Sequence, residues 1–279
     1  MFTEKFRIAT DSAGDLYPGG LISSVPMKIR SQVREYVDDN DLDVAAMVGE
    51  LRSTPGRTST SCPNIQEWLD AFDGAQYVFA VTITSHLSGS WEAAMHAKRD
   101  YEEEHPGAKV HVIDSLSTGP EMALLMDRLM ADIEAGMEYA AIVADITAYQ
   151  ARTHLLFILQ SVQNLARNGR VHPALAKIVG VLNIRILGRA SSEGELETLH
   201  KVRGDKGAIK KLWEELLEHG YKGGRIRIHH CLNESAAAAI REAVLAAFPG
   251  APLILAPCRG LDSYYAEQGG VLVGFESAE

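Results

Sequence analysis

Three short runs of β-forming residues constrain the first half of this chain most, because each one stops at a polar cluster. "FRIAT" (6–10) ends at Asp11-Ser12, "YVFAVTI" (77–83) at "TSHLSGS", and "KVHVID" (109–114) at Asp114-Ser115. Helical patterns, "WEAAMHAKRDYEEE" and "PEMALLMDRLMADIEAG", follow the second and third runs. Strands that alternate with helices build βαβ units and a parallel sheet. In such sheets ligands bind outside the carboxyl ends of the strands. "TDSAGD", "TSHLSGS" and "DSLSTGP" fall at those ends, and "RTSTSCPN" (57–64) precedes the helix that leads into the second strand.

The second half has a different pattern. "YAAIVADITAYQAR" and "LQSVQNLARNG" read as helices leading to "PALAKIVGVL", and "IRILGRASSEGELETLHKVRG" reads as a hairpin turning near Glu193-Gly194. "DKGAIKKLWEELLEHG" is a helix stopped by Gly220, "RIRIHHCL" a strand, "ESAAAAIREAVLAAF" a helix, and "PLILAP" and "VLVGF" closing strands. The expected fold is therefore α/β. A three-layer α/β/α N-terminal domain with a parallel sheet (1–150) joins a C-terminal α+β domain (151–279).

Composition narrows the function classes. A net charge of −10 over 279 residues supplies no field to gather phosphates, so nucleic acid is not an expected partner. No apolar stretch is long enough to span a bilayer, and the N-terminus goes into a strand-like run without a signal-peptide pattern. Three widely spaced cysteines, Cys62, Cys231 and Cys258, do not suit a disulfide framework. A cytoplasmic protein is expected.

In "RTSTSCPN" the residues Thr58, Ser59, Thr60 and Ser61 run into Cys62, Pro63 and Asn64. Pro63 suits a first helical position, and Asn64 with Glu67 resembles a capping pair, so the cluster reads as a capped helix after a turn. It also reads as an anion seat, where free amides, the helix dipole and hydroxyl donors receive a carboxylate or phosphate. Cys62 is a candidate nucleophile without an identifiable base. Ser85, Ser88 and Ser90 with His86 lack the G-x-S-x-G elbow, which favours an anion-binding helix start over a catalytic serine. Asp11-Ser12 and Asp114-Ser115 are read as loop-holding pairs. "HHC" (229–231) lies in a strand, so His229 and Cys231 share a face without any metal-ligand spacing; core histidines and no metal are expected. Arg170 follows a helix stop at Asn168-Gly169, and Lys201 and Arg203 belong to a basic run that suits a solvated helix start or a docking surface.

With these residues assembled, the chain resembles the DegV family, the bacterial fatty-acid-binding proteins, nearly end to end. "IATDSAGDL" is similar to the family's opening strand and Asp-Ser turn, and "TSTSCPN" to its Thr-Ser-Gln-Pro-Ser motif. "SHLSGSWEAA" resembles its Ser-Gly-Thr-Tyr helix start, "VIDSLSTGPEMALL" its Ile-Asp-Ser segment, "LARNGRVHPALAKIVGVLNIRIL" its Gly-Gly-Arg-Ile stretch, and "KVRGDKGAIKKL" its Lys-x-Arg-Gly run. The resemblance implies two domains with one lipid between them. It also implies a place in phospholipid metabolism, with the bound carboxylate presented to a separate fatty acid kinase. Carried over by position, Thr60 and Ser88 hydrogen-bond the carboxylate with Ser61 nearby, Arg170 lies near the head group, and Lys201 and Arg203 face the kinase. Cys62 stands where the family has Gln, Asn168 where it has Gly, and Arg185 where it has Pro. Aligned from "VLVGF", Tyr265 stands at the family's His and Glu267-Gln268 at its Gly-Pro, in a loop expected near the head group and partner.

Such a ligand divides its binding energy unevenly. A C16 chain in an apolar tunnel gains about 0.8 kcal/mol per methylene, on the order of 10 kcal/mol before ordering costs. Head-group hydrogen bonds add about 1–3 kcal/mol net, although a buried carboxylate without them would be prohibitive. No cofactor beyond the bound fatty acid is expected. A hydrolase or acyltransferase using Ser88, Ser85 or Cys62 is the competing reading, and a small phosphorylated ligand a third.

Overall fold

The computed structural model describes residues 5–53, 56–179 and 183–278, with side chains 177–179 left aside. The three strand-like runs form β1 (Phe6–Asp11), β6 (Tyr77–Thr82) and β7 (Lys109–Asp114). Together with β2 (Ile22–Val25) they make a parallel sheet of order β2-β1-β6-β7. Its strands are apolar on both faces because helices cover both. On one face Ala9, Val78 and Ala80 meet Trp68 and Phe72 of α2 (Ile65–Phe72) and Ala94, Ala97 and Tyr101 of α3 (Ser90–Glu104). On the other lie α4 (Gly119–Glu134) and α5 (Tyr139–Gln150), whose Tyr139 stacks on Tyr77 and Phe79 at 5.3 Å.

The second sheet is mixed, of order β10-β9-β8-β13-β11-β12. It contains β8 (Thr153–Leu159), β9 (Ile184–Ala190), β10 (Leu196–Arg203), β11 (Ile226–His230), β12 (Leu253–Pro257) and β13 (Val271–Glu276). The expected hairpin is present as the antiparallel β9–β10 pair, with a bulge at Leu199. One face packs on α8 (Gly204–Glu218) and α9 (Glu234–Ala247) through Leu156, Ile158, Leu212, Ile228 and Ile240. The other turns Leu155, Phe157 and Leu159 toward the first sheet, as strand alternation requires. Between the sheets runs α4, buried almost all round. A helix buried on most sides belongs in an interior, and α4 serves both halves.

Four parts of the sequence reading are corrected. "LQSVQNLARNG" is not one helix: Leu159 closes β8, and the helix α6 is confined to Gln163–Arg167. Residues 153–158, unassigned from sequence, form a central strand. Its unbroken apolar run reads like a buried helix when periodicity is the guide. The hydroxyl cluster is not all loop, since Ser59–Ser61 form β5, an outer strand of a small antiparallel sheet with β3 (Lys28–Arg30) and β4 (Glu35–Val37). Pro63 is not a first helical residue. It precedes the cap Asn64, which makes the expected box: Glu67 N–H donates to Asn64 Oδ1 at 3.0 Å and Asn64 N–H to Glu67 Oε2 at 2.8 Å. Of the remaining helices, α1 (Val44–Ser53) and α10 (Gly260–Ala266) were not foreseen and pack against each other. The last, α7 (Pro173–Val179), falls in "PALAKIVGVL", whose residues 180–182 lie outside the described residues.

Candidate ligand cavity

Between the two sheets a cavity opens, with about 980 Å³ of atom-free space counted out to its mouth. Met27, Ile83, Leu155, Phe157, Leu159 and Leu272 supply much of its apolar wall. The polar lining is Thr60, Ser61, Cys62, Ser88, Thr118, Asp262, Tyr265 and a single cation among the described residues, Arg170. Thus six residues singled out from sequence, spread over positions 60 to 265, come to one place: Thr60, Ser61, Cys62, Ser88, Arg170 and Tyr265. A concave apolar site with a few convergent polar groups is the form of a small-molecule pocket.

The topology produces this convergence. Thr58 and Thr60 lie two residues apart and so point the same way from the strand. Both reach α10: Thr58 Oγ1 lies 2.6 Å from the Tyr264 hydroxyl, and Thr60 Oγ1 2.7 Å from that of Tyr265. Asn168 Nδ2 also donates to the Tyr264 hydroxyl at 2.8 Å, tying α6 into the same corner. Ser88 sits in the loop after β6, where its Oγ accepts from Ser90 N–H at 3.3 Å. Arg170 Nε donates to the Leu87 carbonyl at 3.1 Å, and the guanidinium acts electrostatically on Tyr265. Burial pushes the Tyr265 hydroxyl above its usual range, while Thr60 and Arg170 oppose the shift, so the phenol remains a neutral donor.

The strand-end aspartates hold the crevice from below, as the sequence suggested. Asp11 Oδ2 accepts from Ile83 N–H at 3.0 Å and from Ser90 Oγ at 2.6 Å. Burial raises its pKa to about 7 against those hydrogen bonds. Asp114 Oδ1 accepts from Ser85 N–H and Leu116 N–H, each at 3.1 Å. Ser12 Oγ accepts from Met27 N–H at 3.0 Å, and Ser115 Oγ accepts from Ser117 N–H at 3.1 Å. His229 is a core histidine: fully buried, it places Nδ1 2.9 Å from Asp15 Oδ2. Among the described residues no three His, Cys, Asp or Glu side chains group to hold a metal.

The nucleophile candidates lack activation. Burial pushes the half-buried Cys62 thiol up, and the nearby Asp11 and Glu67 charges add to the shift. A helix-start thiol poised for attack would be lowered. His86 is exposed and faces Glu195 at 3.7 Å. Lys201 and Arg203 stand apart from the cavity, exposed on β10. Lys201 there lines a groove with His200, Lys210 and Lys211.

Sequence reasoning missed the polar wall formed by Thr118 and Asp262, and the carboxylates that seat α10. Asp38 Oδ1 and Oδ2 accept from Gly260 N–H and Leu261 N–H, both at 2.8 Å, and Asp15 Oδ1 accepts from Arg259 N–H at 2.6 Å. The Gly-Asp step in "DSAGD" and the acidic "VDDND" carried a signal only as turn chemistry. Tyr264 also fell outside the reading; Glu267, expected from sequence in a loop near the head group, accepts from Asn164 N–H through Oε1 at 3.0 Å.

Comparisons agree with this architecture. Among curated relatives, a DegV domain-containing protein of Streptococcus pneumoniae is 43% identical over 253 residues, covering 91% of this chain and 90% of its own. A crystal structure of a DegV family protein from Eubacterium eligens loaded with heptadecanoic acid matches with TM-score 0.95 and 41% identity, over 98% of this chain and 100% of that one. The Streptococcus pneumoniae fatty acid kinase (Fak) B3 protein loaded with linoleic acid matches with TM-score 0.96 and 40% identity over the same shares. The profile of a family described as "Uncharacterised protein, DegV family" covers residues 5–273, and the chain belongs to the DegV family.

Proposed function

We propose that this chain binds one long-chain fatty acid between its two sheets and presents the carboxylate to a fatty acid kinase without catalysing a reaction itself. The observation that carries the reading is a mostly apolar cavity whose wall also carries several hydroxyls and one arginine. In it Thr60, Ser61 and Ser88 receive the carboxylate, with Arg170 and Tyr265 beside the head group. The chain's similarity to two proteins crystallised with heptadecanoic and linoleic acid supports the same reading. Support for a carrier over a hydrolase or acyltransferase comes from the raised Cys62 thiol and from Ser88, whose Oγ accepts a hydrogen bond from a backbone amide.

Lys201 and Arg203, exposed and outside the cavity, form part of the kinase-facing surface in this reading. The domain boundary falls near residue 150, supported by α5 ending at Gln150 and β8 beginning at Thr153. A cytoplasmic location accords with three free cysteines and with the lack, among the described residues, of any helix long and apolar enough to cross a membrane.

Organic extraction of protein purified from a lipid-containing host, followed by mass spectrometry, tests the proposal. A stoichiometric fatty acid is expected. A lipid-free extract, together with no uptake of added fatty acid, would sink it.

A further inference from the structure

One polar atom in the cavity wall has no hydrogen donor on it. Asp262 is 4% exposed and lines the cavity; its Oδ1 accepts from Thr118 Oγ1 at 2.8 Å, yet its Oδ2 meets no hydrogen-bonding partner. What faces that oxygen is another carboxylate, Asp15, across the space left by Gly119. A Cβ on Gly119 would stand 2.5 Å from Asp262 Oδ2 and 3.5 Å from Asp15 Oδ2. The donors on Asp15 are already accounted for. Arg259 N–H takes Oδ1 at 2.6 Å, and His229 Nδ1 takes Oδ2 at 2.9 Å. Two carboxyl groups in this arrangement can satisfy each other only if one of them carries a proton.

We propose that Asp262 is a positioning residue for the ligand seat: a neutral acid whose Oδ2–H donates to the Asp15 carboxylate and so latches α10, the helix that carries Tyr265, to the first half of the chain. The inference rests on the fatty-acid reading above and adds a proton to it. Asp262 and Tyr265 lie three residues apart on α10 and line the same cavity. The start of α10 is held from the first half by acceptors: Asp15 on Arg259 N–H, and Asp38 on Gly260 and Leu261 N–H. Arg259 spans the same junction, donating to the Leu16 carbonyl at 2.5 Å and the Asp38 carbonyl at 3.0 Å.

The charged groups around Asp262 all bear on which carboxyl keeps the proton. Asp15 and Asp38 approach from the first half, Arg259 and Cys258 from the entry to α10, and His229 from β11. Burial and then the Asp15 charge push the Asp262 carboxyl well above its usual range, and the Asp38 charge adds to this. Burial pushes His229 down to about 3, so it is neutral and donates through Nδ1–H without lending Asp15 a positive charge. The Cys258 thiol, also pushed up, stays neutral. Arg259 is the cation, and its guanidinium is aimed at Asp38 and Leu16. Burial also raises Asp15, to about 7, but the Arg259 amide and Asp262 itself pull Asp15 down, whereas the Asp15 charge pushes Asp262 further up, so of the two Asp262 holds the proton.

The direction of the pH effect follows. A carboxyl whose pKa is raised in the closed state favours that state most at low pH. The contribution declines as pH rises from the ordinary carboxyl range through the raised value, because the open state loses its proton first. Between the ordinary carboxyl range and the raised value each pH unit disfavours the latched form about tenfold, and above the raised value the effect levels off.

The test compares wild type with Asp262→Asn, whose amide keeps an acceptor for Thr118 and a donor for Asp15 but has no proton to lose in this range. Thermal midpoints of the lipid-free proteins are measured from about pH 5 to about pH 9, beside retention of labelled oleic acid by the loaded proteins over the same range. Asp11 and Glu121, raised carboxyls on which Asp262 does not act, titrate in both proteins and cancel in the comparison. The expected result is a wild-type midpoint that falls relative to the variant as pH rises, and earlier loss of oleic acid from wild type. A second variant, Thr118→Val, removes a hydroxyl that favours the ionised acid, so it moves the wild-type transition to higher pH. Parallel pH profiles for wild type and Asp262→Asn, or a transition unmoved by Thr118→Val, overturn the latch. Midpoints that diverge as expected in proteins that take up no oleic acid support the latch and overturn only the fatty-acid reading.

Discussion

Lengthening the ligand one methylene at a time separates what the cavity wall contributes from what the polar seat contributes. The inner wall is Met27, Ile83, Leu155, Phe157, Leu159 and Leu272 with similar neighbours, so each added methylene exchanges water for hydrocarbon. At about 0.8 kcal/mol per methylene, affinity rises about fourfold per carbon and about 200-fold between C12 and C16. The seat acts once, whatever the chain length. Removing two hydroxyls with Thr60→Val and Ser88→Ala costs about 1–3 kcal/mol, roughly 5- to 150-fold. Titration calorimetry on delipidated protein, with saturated acids of increasing length, should give two parallel lines of log affinity against carbon number. The double variant is displaced downward without a change of slope. Primary alcohols of the same lengths should follow the same slope and respond weakly to the double variant, since they bring no charge to the seat. An affinity independent of chain length, or an equal loss for acids and alcohols, would refute the division between tail and head.

Other consequences can be checked separately. Glu121 is fully buried and its pKa is raised to about 7 by burial, so it stabilises the fold least at alkaline pH. Denaturation at about pH 5 and about pH 8 should show wild type losing about 3 kcal/mol relative to Glu121→Gln, because the folded carboxyl holds its proton while the unfolded one ionises. Asp38→Ala removes the acceptor for two α10 amides and strands Arg259, which is 2% exposed; a loss of about 3–5 kcal/mol is expected in the same assay. Cys62 should react slowly with a thiol-alkylating reagent near neutral pH, and more slowly still with oleic acid bound. Charge reversal at Lys201 and Arg203 should leave fatty-acid affinity within about twofold, roughly 0.4 kcal/mol, while weakening any kinase complex, read by surface-immobilised binding.

Local patterns made much of the fold legible. Strands β1, β6 and β7 combine β-branched and aromatic residues with an abrupt polar stop, and the α2 start is written in Asn64 and Glu67. Strand β8 was lost because both its faces are buried. Leu155, Phe157 and Leu159 line the intersheet side while Leu156 and Ile158 serve the other, which erases the alternation that marks a strand. Strands β3, β4 and β5 have three residues each, too short for any period to register. The role of α4 between two sheets was equally hidden, since its sequence mixes charges with apolar residues and such a pattern does not say how many layers it touches.

The polar corner of the cavity was legible for a different reason: Ser88 follows the carboxyl end of β6, where a parallel sheet directs ligands, and the hydroxyl run before α2 is conspicuous. Tyr265 entered only by counting back from "VLVGF", and its meeting with Thr60 across 205 positions belongs to tertiary structure. Asp262 had no such marker. A single acid in "CRGLDSYYAEQ" reads as a solvated helix start, because an aspartate near a helix N-terminus is favoured by the dipole and ordinarily faces water. Its burial follows from Thr118, Asp15 and Gly119, at chain separations of 144, 247 and 143 positions, read from their numbers. That placement also fixes its chemistry. An ionised Asp262 would put a second negative charge beside Asp15 in a wall that must receive hydrocarbon. The neutral acid can line an apolar cavity because its one proton is spent on Asp15 and its free lone pairs on Thr118. The same proton that makes the residue compatible with an acyl chain also ties the chain's two halves together, so the cavity and its closure depend on one titratable group.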